Sequence, residues 1–403
     1  MPTTAKNKDV LLITLLGIAH GVSHFYHLVI PPLYPWLMPE FDLNFAQVGL
    51  VMTIFFIVSA LGQAISGFLV DRFGAKRCLM AGTAALMLSG VFLALAQGYA
   101  WLFISATLAG LGNSVFHPAD YSIINRSISE ARIPYAFSIH AVVGNVGWAV
   151  APVLMVGVAM LLDWRAAAWS SALIGLGVLA LLMFYHREFD VDDSEETSAK
   201  EAANEKQKGG SFAFLGHLSV WLCFFFFFFT CVAYGILQNF APSIFKATYN
   251  LSLETATAGL TAYIVGSATG ILSGGWVAKR FPRTDYVIAS SLTFAAVMAC
   301  LLATQWVPGW MVLPLMCLMG FGVGIATPSR DMLIRQTTMV KFGKNTFGRV
   351  YGFTYCGMDV GQTMAPVIAG PLLDAGQFTL ALILVAVFQS GAVLTALGVG
   401  RQN

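Results

Sequence analysis

Twelve long apolar runs follow one another along the chain, at residues 10–38, 44–70, 78–97, 100–126, 134–160, 166–185, 214–245, 255–278, 286–306, 310–335, 347–373 and 378–400. A helix needs about 20 mostly apolar residues to cross a bilayer, and each run has that length. No water-soluble packing could bury twelve of them. Only 10% of the residues are charged and the mean hydropathy is +0.74, whereas soluble domains carry about 25% charged residues. The fold class is therefore an all-α membrane protein with twelve transmembrane helices.

The runs fall into two sets of six. Residues 186–211 interrupt them with a mixed-charge stretch that includes Asp192-Asp193-Ser194-Glu195-Glu196, Lys200, Lys206 and Lys208, the composition of a solvated linker. This predicts an N-terminal half at 1–185, a linker at 186–211 and a C-terminal half at 212–403. The halves repeat. Gly110 to Pro118 matches Gly320 to Pro328, and Asn145-Val146-Gly147 with Ala151-Pro152-Val153 matches Asp359-Val360-Gly361 with Ala365-Pro366-Val367. Six helices separate the copies, so both have the same direction across the bilayer. Parallel repeats of this kind place substrate sites between the halves, near the midplane.

Sidedness follows from the basic residues. Of 22 lysines and arginines, Arg165 and Lys246 fall in outer loops and Arg330 within a helix, while all the others lie on the side of the termini. Both termini are therefore expected in the cytoplasm. The net charge of +2 is too small to imply a nucleic-acid partner. The six cysteines, all but Cys78 in apolar segments, show no metal-ligand spacing and read as free, buried thiols with no disulfide. Met1 to Asp9 is short and polar and has no cleavage site of small residues, which argues against a removed signal peptide.

Polar residues inside apolar helices carry the functional reading, because an ionisable group in a membrane span faces water, a substrate or a partner. Asn113, His117 and Asp120 are spaced i, i+4, i+7 and share one helix face. His20, His24 and His27 repeat that spacing in the first span, with Tyr34 close to their stripe. Imidazole titrates near pH 6.5, so this face suits cavity lining and proton traffic, although a single histidine can equally brace the bundle through a backbone carbonyl. His140 shares its face with Gly144, Gly147 and Ala151, a small-residue seam, and reads as structural. Asp120 and Arg330 occupy nearly equivalent positions in the two repeats. Three readings stand open for them: a gate that joins them when the cytoplasmic side closes, an anion site at Arg330, or a local pair of Arg330 with Asp331 or Asp359. Asp359, with Gln362 and Thr363, makes a polar face on the eleventh span and is a second candidate for carrying a proton. Phe224 to Phe229 cover every face of a helix and mark no site.

The loop after the second span reads Gly67-Phe68-Leu69-Val70-Asp71-Arg72-Phe73-Gly74-Ala75-Lys76-Arg77. It resembles the loop signature of the major facilitator superfamily. With Gly110-x-Gly112 and His117-Pro118 in the fourth span, and His20 followed by Tyr34-Pro35, the chain is similar to the fosmidomycin-resistance branch of exporters. The resemblance implies two pseudo-symmetric six-helix halves, a cavity lined by the first, fourth, seventh and tenth spans, and a cytoplasmic latch. In that latch Asp71, with Arg72 and Arg77, would sit near the start of the eleventh span around Gly348. There are departures. The branch has Glu directly after His-Pro, where this chain has Ala119 and then Asp120, about 100° further round a helix. Ala106 stands where many proton-coupled relatives have arginine. The matching loop of the second half, Gly275 to Pro282, lacks the acid, and Gly147-x-x-x-Ala151-Pro152 only partly matches the antiporter motif.

These features predict a secondary transporter, not an enzyme, since no nucleophile–base constellation occurs. The expected activity is proton-coupled export of small organic compounds by alternating access. The setting is a bacterial-type inner membrane, the protein a monomer, and its partners a small-molecule substrate and the lipid bilayer. Proton-coupling candidates are Asp120, Asp359, His24 and His117. Candidates for contacting substrate are His20, His24, His27, Tyr34, Asn113, His117, Arg330 and Gln362. No cofactor or resident metal is expected, and no phosphate-binding loop suggests ATP hydrolysis. Two alternatives remain: proton-coupled uptake of an organic anion, a carboxylate or phosphonate held by Arg330, and a metal-ion carrier using His20, His24, His117 and Asp120.

Overall fold

The computed structural model describes residues 5–129, 132–189, 212–281, 283–342 and 347–402. The N-terminal half contains α1 (Ala5–Tyr26), α2 (Tyr34–Glu40), α3 (Phe45–Phe73), α4 (Ala75–Ala94), α5 (Tyr99–Ser114), α6 (Phe116–Ser127), α7 (Ile133–Leu161) and α8 (Trp164–Phe184). The C-terminal half contains α9 (Leu218–Tyr249), α10 (Leu253–Arg280), α11 (Thr284–Thr304), α12 (Val312–Phe342), α13 (Phe347–Asp374) and α14 (Phe378–Gly400). Among the described residues, 11 helical stretches are long and apolar enough to cross a membrane. The remaining predicted span is α13, 28 residues long, which carries Asp359, Gln362 and Thr363. Most of the predicted linker, residues 190–211, lies outside the described residues.

Two expected spans are not single helices. The first ends at Tyr26 and continues through a 3-10 turn, Pro31–Leu33, into the short α2. Prolines 31, 32 and 35 supply no amide donors for one continuous helix. The fourth is interrupted at Val115, between α5 and α6. Pro118 has no N–H to return to the carbonyl of Ser114, and its ring crowds that turn. The interruption falls between Asn113 and His117. Between α3 and α4 the chain turns through Gly74 at φ 85, a backbone region that a side chain disfavours. None of the six cysteines is in a disulfide, and Cys300 and Cys356 are exposed rather than buried.

The halves meet at one end. Asp374, the last residue of α13, accepts hydrogen bonds from the amides of Phe45 at 2.6 Å and Ala46 at 2.9 Å. These amides open α3, where unpaired N–H groups and the helix dipole favour an anion. Thr53 donates to the Thr363 carbonyl at 3.3 Å, and Thr261 of α10 reaches the Ala149 carbonyl of α7 at 3.5 Å. Tyr34 packs on Phe240, ring centroids 5.9 Å apart. All these contacts belong to the early part of α3 and the late part of α13, or to their neighbours at the same end. Toward the face bearing both termini, Leu61, Ile65 and Phe68 of α3 and Leu272 and Trp276 of α10 are exposed. Among the described residues, the two halves are thus joined at one end and apart at the other.

Candidate functional site

The two polar stripes read from the sequence face each other. Helix α1 runs beside α5 and α6, so His27, His24 and His20 descend along Asn113, His117 and Asp120. At the upper rung, His27 Nε2 lies 2.9 Å from Asn113 Oδ1, which also accepts from the Ser23 hydroxyl at 2.8 Å. Asn113 in turn donates to Ser59 at 2.7 Å, tying α1, α3 and α5 together. In the middle, the His117 ring is 5.1 Å from that of His20 and 6.2 Å from that of His24. At the lower rung, His20 Nδ1 approaches Asp120 Oδ2 to 3.4 Å. The break at Val115 leaves all three residues directed toward α1.

His140 changes the reading. The sequence placed it in a packing seam, and the seam exists, but its side chain is part of the site. His140 Nε2 lies 2.9 Å from Asp120 Oδ2, and its ring stacks on His20 at 3.4 Å between centroids. A small-residue face makes this approach possible. A Cβ at Gly144 would come 2.8 Å from His24 Nδ1, and one at Gly147 would run into the Gly21 carbonyl. Asp120 has no solvent exposure and His140 has 3%. A carboxylate so enclosed needs a charged or donating neighbour, and the two imidazoles are those neighbours. The cluster lies wholly within the N-terminal half.

From this cluster an aromatic row leads to the interface between halves. His20 is 4.3 Å from His24, and His24 stacks on Trp148 of α7 at 4.3 Å. Trp148 is 5.8 Å from Tyr234 of α9, which stacks on Tyr263 of α10 at 5.7 Å. Gln362 donates to Gln238 at 3.3 Å. Trp148 Nε1, the Tyr234 hydroxyl, Gln238 Nε2 and Gln362 Oε1 are buried without a hydrogen-bond partner. Buried polar atoms are normally satisfied, so this group has unspent capacity for a polar ligand. Tyr234 lies beyond the six phenylalanines that cover every face of α9, and its own face is marked by Gln238, four residues later.

Several candidates sit elsewhere. Arg330 donates to Asp331 at 2.9 Å and lies 4.8 Å from the centre of the Phe227 ring; it does not meet Asp120 in this conformation, and the local pair with Asp331 is the arrangement observed. Tyr34 is fully buried and donates to the Val48 carbonyl at 3.3 Å, so it belongs to the closed end rather than to the cavity. Asp359 is partly buried on α13, in the other half from Asp120. Arg72 and Arg77 are exposed, with Arg72 5.4 Å from the Phe73 ring. The side chain of Asp71 and the surroundings of Gly348, hence the expected latch, lie outside the described residues.

The Major Facilitator Superfamily profile matches residues 16–366. The chain is 27% identical over 297 residues to the fosmidomycin resistance protein of Escherichia coli (strain K12), covering 72% of this chain and 70% of that one. It is 26% identical over 290 residues to the probable nitrate transporter NarT of Staphylococcus haemolyticus, covering 70% and 72%. Its backbone is similar to that of a bacterial homolog of the human lysosomal transporter Spinster, solved in an inward-facing and unoccupied conformation. That match has a TM-score of 0.73 at 16% identity over 98% of each chain.

Proposed function

Because the chain belongs to the Major Facilitator Superfamily, it is a multi-pass membrane transporter and not an enzyme, and we propose that it exports small organic compounds in exchange for protons. The observation that carries this reading is the Asp120 carboxylate held by His140 and facing His20 at zero exposure. In that setting the cluster can gain or lose a proton more readily than it can tolerate an uncompensated charge. The row His20, His24, Trp148 connects it to the unpartnered Trp148 Nε1, Tyr234 hydroxyl and Gln238 Nε2, where a substrate with polar acceptors would lie. The stacked aromatic faces suit an amphipathic or planar molecule. Joined at one end and open at the other, the halves have the shape that alternating access requires, with the open end facing the cytoplasm if the basic residues set the orientation.

The Escherichia coli relative is named for resistance to fosmidomycin and NarT for transport of nitrate, an anion, and neither name gives a direction. Arg330, the cation that uptake would use, is engaged by Asp331 and Phe227, which favours export. Proteoliposomes with an imposed pH gradient test the choice. Movement of an organic compound against the proton flow is the expected result. Movement of anions with the proton, abolished by Arg330→Ala, would make uptake the function instead.

A further inference from the structure

We infer that His20, His117, His140 and Asp120 form a binding site for a late first-row divalent cation, with Zn2+ the best fit to the donor set. One ring nitrogen from each of the three histidines lies within 4.8 Å of the others. Asp120 Oδ2 is 2.9 Å from His140 Nε2 and 3.4 Å from His20 Nδ1. Tetrahedral zinc bonds nitrogen and oxygen at about 2.0–2.2 Å, which sets its ligands about 3.3–3.5 Å apart. The His20–Asp120 edge already has that length, the His140–Asp120 hydrogen bond at 2.9 Å would lengthen to it, and His117 supplies the third imidazole within 4.8 Å of the other two. Neutral imidazole with one carboxylate suits zinc rather than magnesium or calcium, which take oxygen ligands.

A second observation points to a ligand. His20 Nδ1, His117 Nδ1 and Asp120 Oδ1 are buried and have no hydrogen-bond partner, and His20 and Asp120 are at most 1% exposed. His20 Nδ1 makes only its 3.4 Å approach to Asp120 Oδ2, and three ligand atoms without a hydrogen bond in one enclosed place are costly unless something uses them. His24, whose buried Nδ1 also lacks a hydrogen bond, is not one of the three histidines whose ligand atoms lie within 4.8 Å of one another. Of the four ligands His117 is the one not fully buried, and Tyr121, one turn on, is exposed, so a cation would enter on that side. All four ligands stand on α1, α6 and α7 of one half, so the cation is held within that half and is not passed between the halves. It would occupy the lone pairs that a proton otherwise takes.

The test is binding, which does not depend on any transport assay. The full chain, purified with an affinity tag free of histidine and stripped by chelator, is titrated with Zn2+ by calorimetry and with Co2+ by visible absorption. One Zn2+ per chain and a tetrahedral Co2+ spectrum are expected. His117→Ala and Asp120→Asn should each weaken Zn2+ binding by at least about 100-fold, the scale set by lost ligands and their supports. His117→Cys, which keeps a zinc-binding atom, should retain it, and His186→Ala, at an exposed histidine, should not change it. Variant folding is checked by monodisperse elution without metal. No saturable Zn2+ binding by the unmodified chain, or binding of equal strength in well-folded His117→Ala and Asp120→Asn, would overturn the site.

Discussion

Asp120 of α6 and His140 of α7 lie 2.9 Å apart with almost no solvent around either. The carboxylate is fixed from a second side by His20 of α1 at 3.4 Å. Three helices thus converge on one acidic oxygen. Changing the charge at Asp120 therefore alters what three helices pack against, and protonation at this point has a structural consequence as well as an electrical one.

The first prediction concerns that charge. Asp120→Asn keeps the shape and a hydrogen-bond acceptor for His140 but cannot cycle a proton. Gradient-driven transport in proteoliposomes should fall on the order of 10²-fold, the scale of a lost proton-transfer group. Substrate-for-substrate exchange without a gradient should persist. Equal loss of both activities would show that Asp120 acts in binding or folding rather than in coupling.

A second prediction concerns the seam between α1 and α7. Gly147→Ala puts a methyl group into the Gly21 carbonyl, and overpacking of this kind costs about 1–3 kcal/mol. The apparent melting temperature in detergent should drop. Gly157→Ala on the same helix meets nothing within 4 Å and should leave it unchanged or raise it slightly. If both variants behaved alike, close approach would not be the reason for glycine at 147.

The joined end yields a third. Asp374→Ala removes two charge-assisted hydrogen bonds to α3, each worth about 1.5–3 kcal/mol. Molecules opened at that end should become at least about 10-fold more populated. Spin labels at Leu161→Cys and Trp306→Cys, exposed positions in opposite halves, would report this as a longer distance component in a background lacking Cys300 and Cys356. An unchanged distance distribution would assign the closure to apolar packing alone.

A fourth isolates the polar atoms at the interface. Trp148→Phe keeps an aromatic face for His24 but removes the unpartnered N–H. A substrate accepting that hydrogen bond should show KM raised about 5- to 10-fold, equivalent to about 1 kcal/mol, with little change in the maximal rate. Unchanged KM for every transported compound would exclude the indole N–H from recognition.

The spans and the two polar stripes were legible in the sequence because both are periodic along a single helix. His20, His24, His27, Asn113, His117 and Asp120 could be assigned to shared faces by counting alone. The partner of Asp120 could not. His140 belongs to another helix, and its meeting with Asp120 depends on how deeply α7 settles against α1, which Gly21, Gly144 and Gly147 decide together. Its face was read as packing, and it is packing; the contact with Asp120 comes from the same face. Tyr234 was hidden for a different reason. In Phe224 to Phe229 the apolar signal is continuous, and the side of α9 that meets Trp148 is marked only further along, by Gln238 four residues after Tyr234. The gate read for Asp120 and Arg330 belongs to the state closed on the cytoplasmic side; in this conformation Arg330 pairs with Asp331.

The link from Asp374 to the start of α3 reads only main chain, the amides of Phe45 and Ala46. Residue 374 therefore has no side chain across the boundary with which to exchange information during descent. A lost carboxylate there cannot be rescued by any change of identity at 45 or 46 that restores a donor, since the donors are already present in every non-proline residue. Paired substitutions in related sequences would leave this contact silent, and a contact map inferred from covariation would miss the charged tie that holds the two halves together at their closed end.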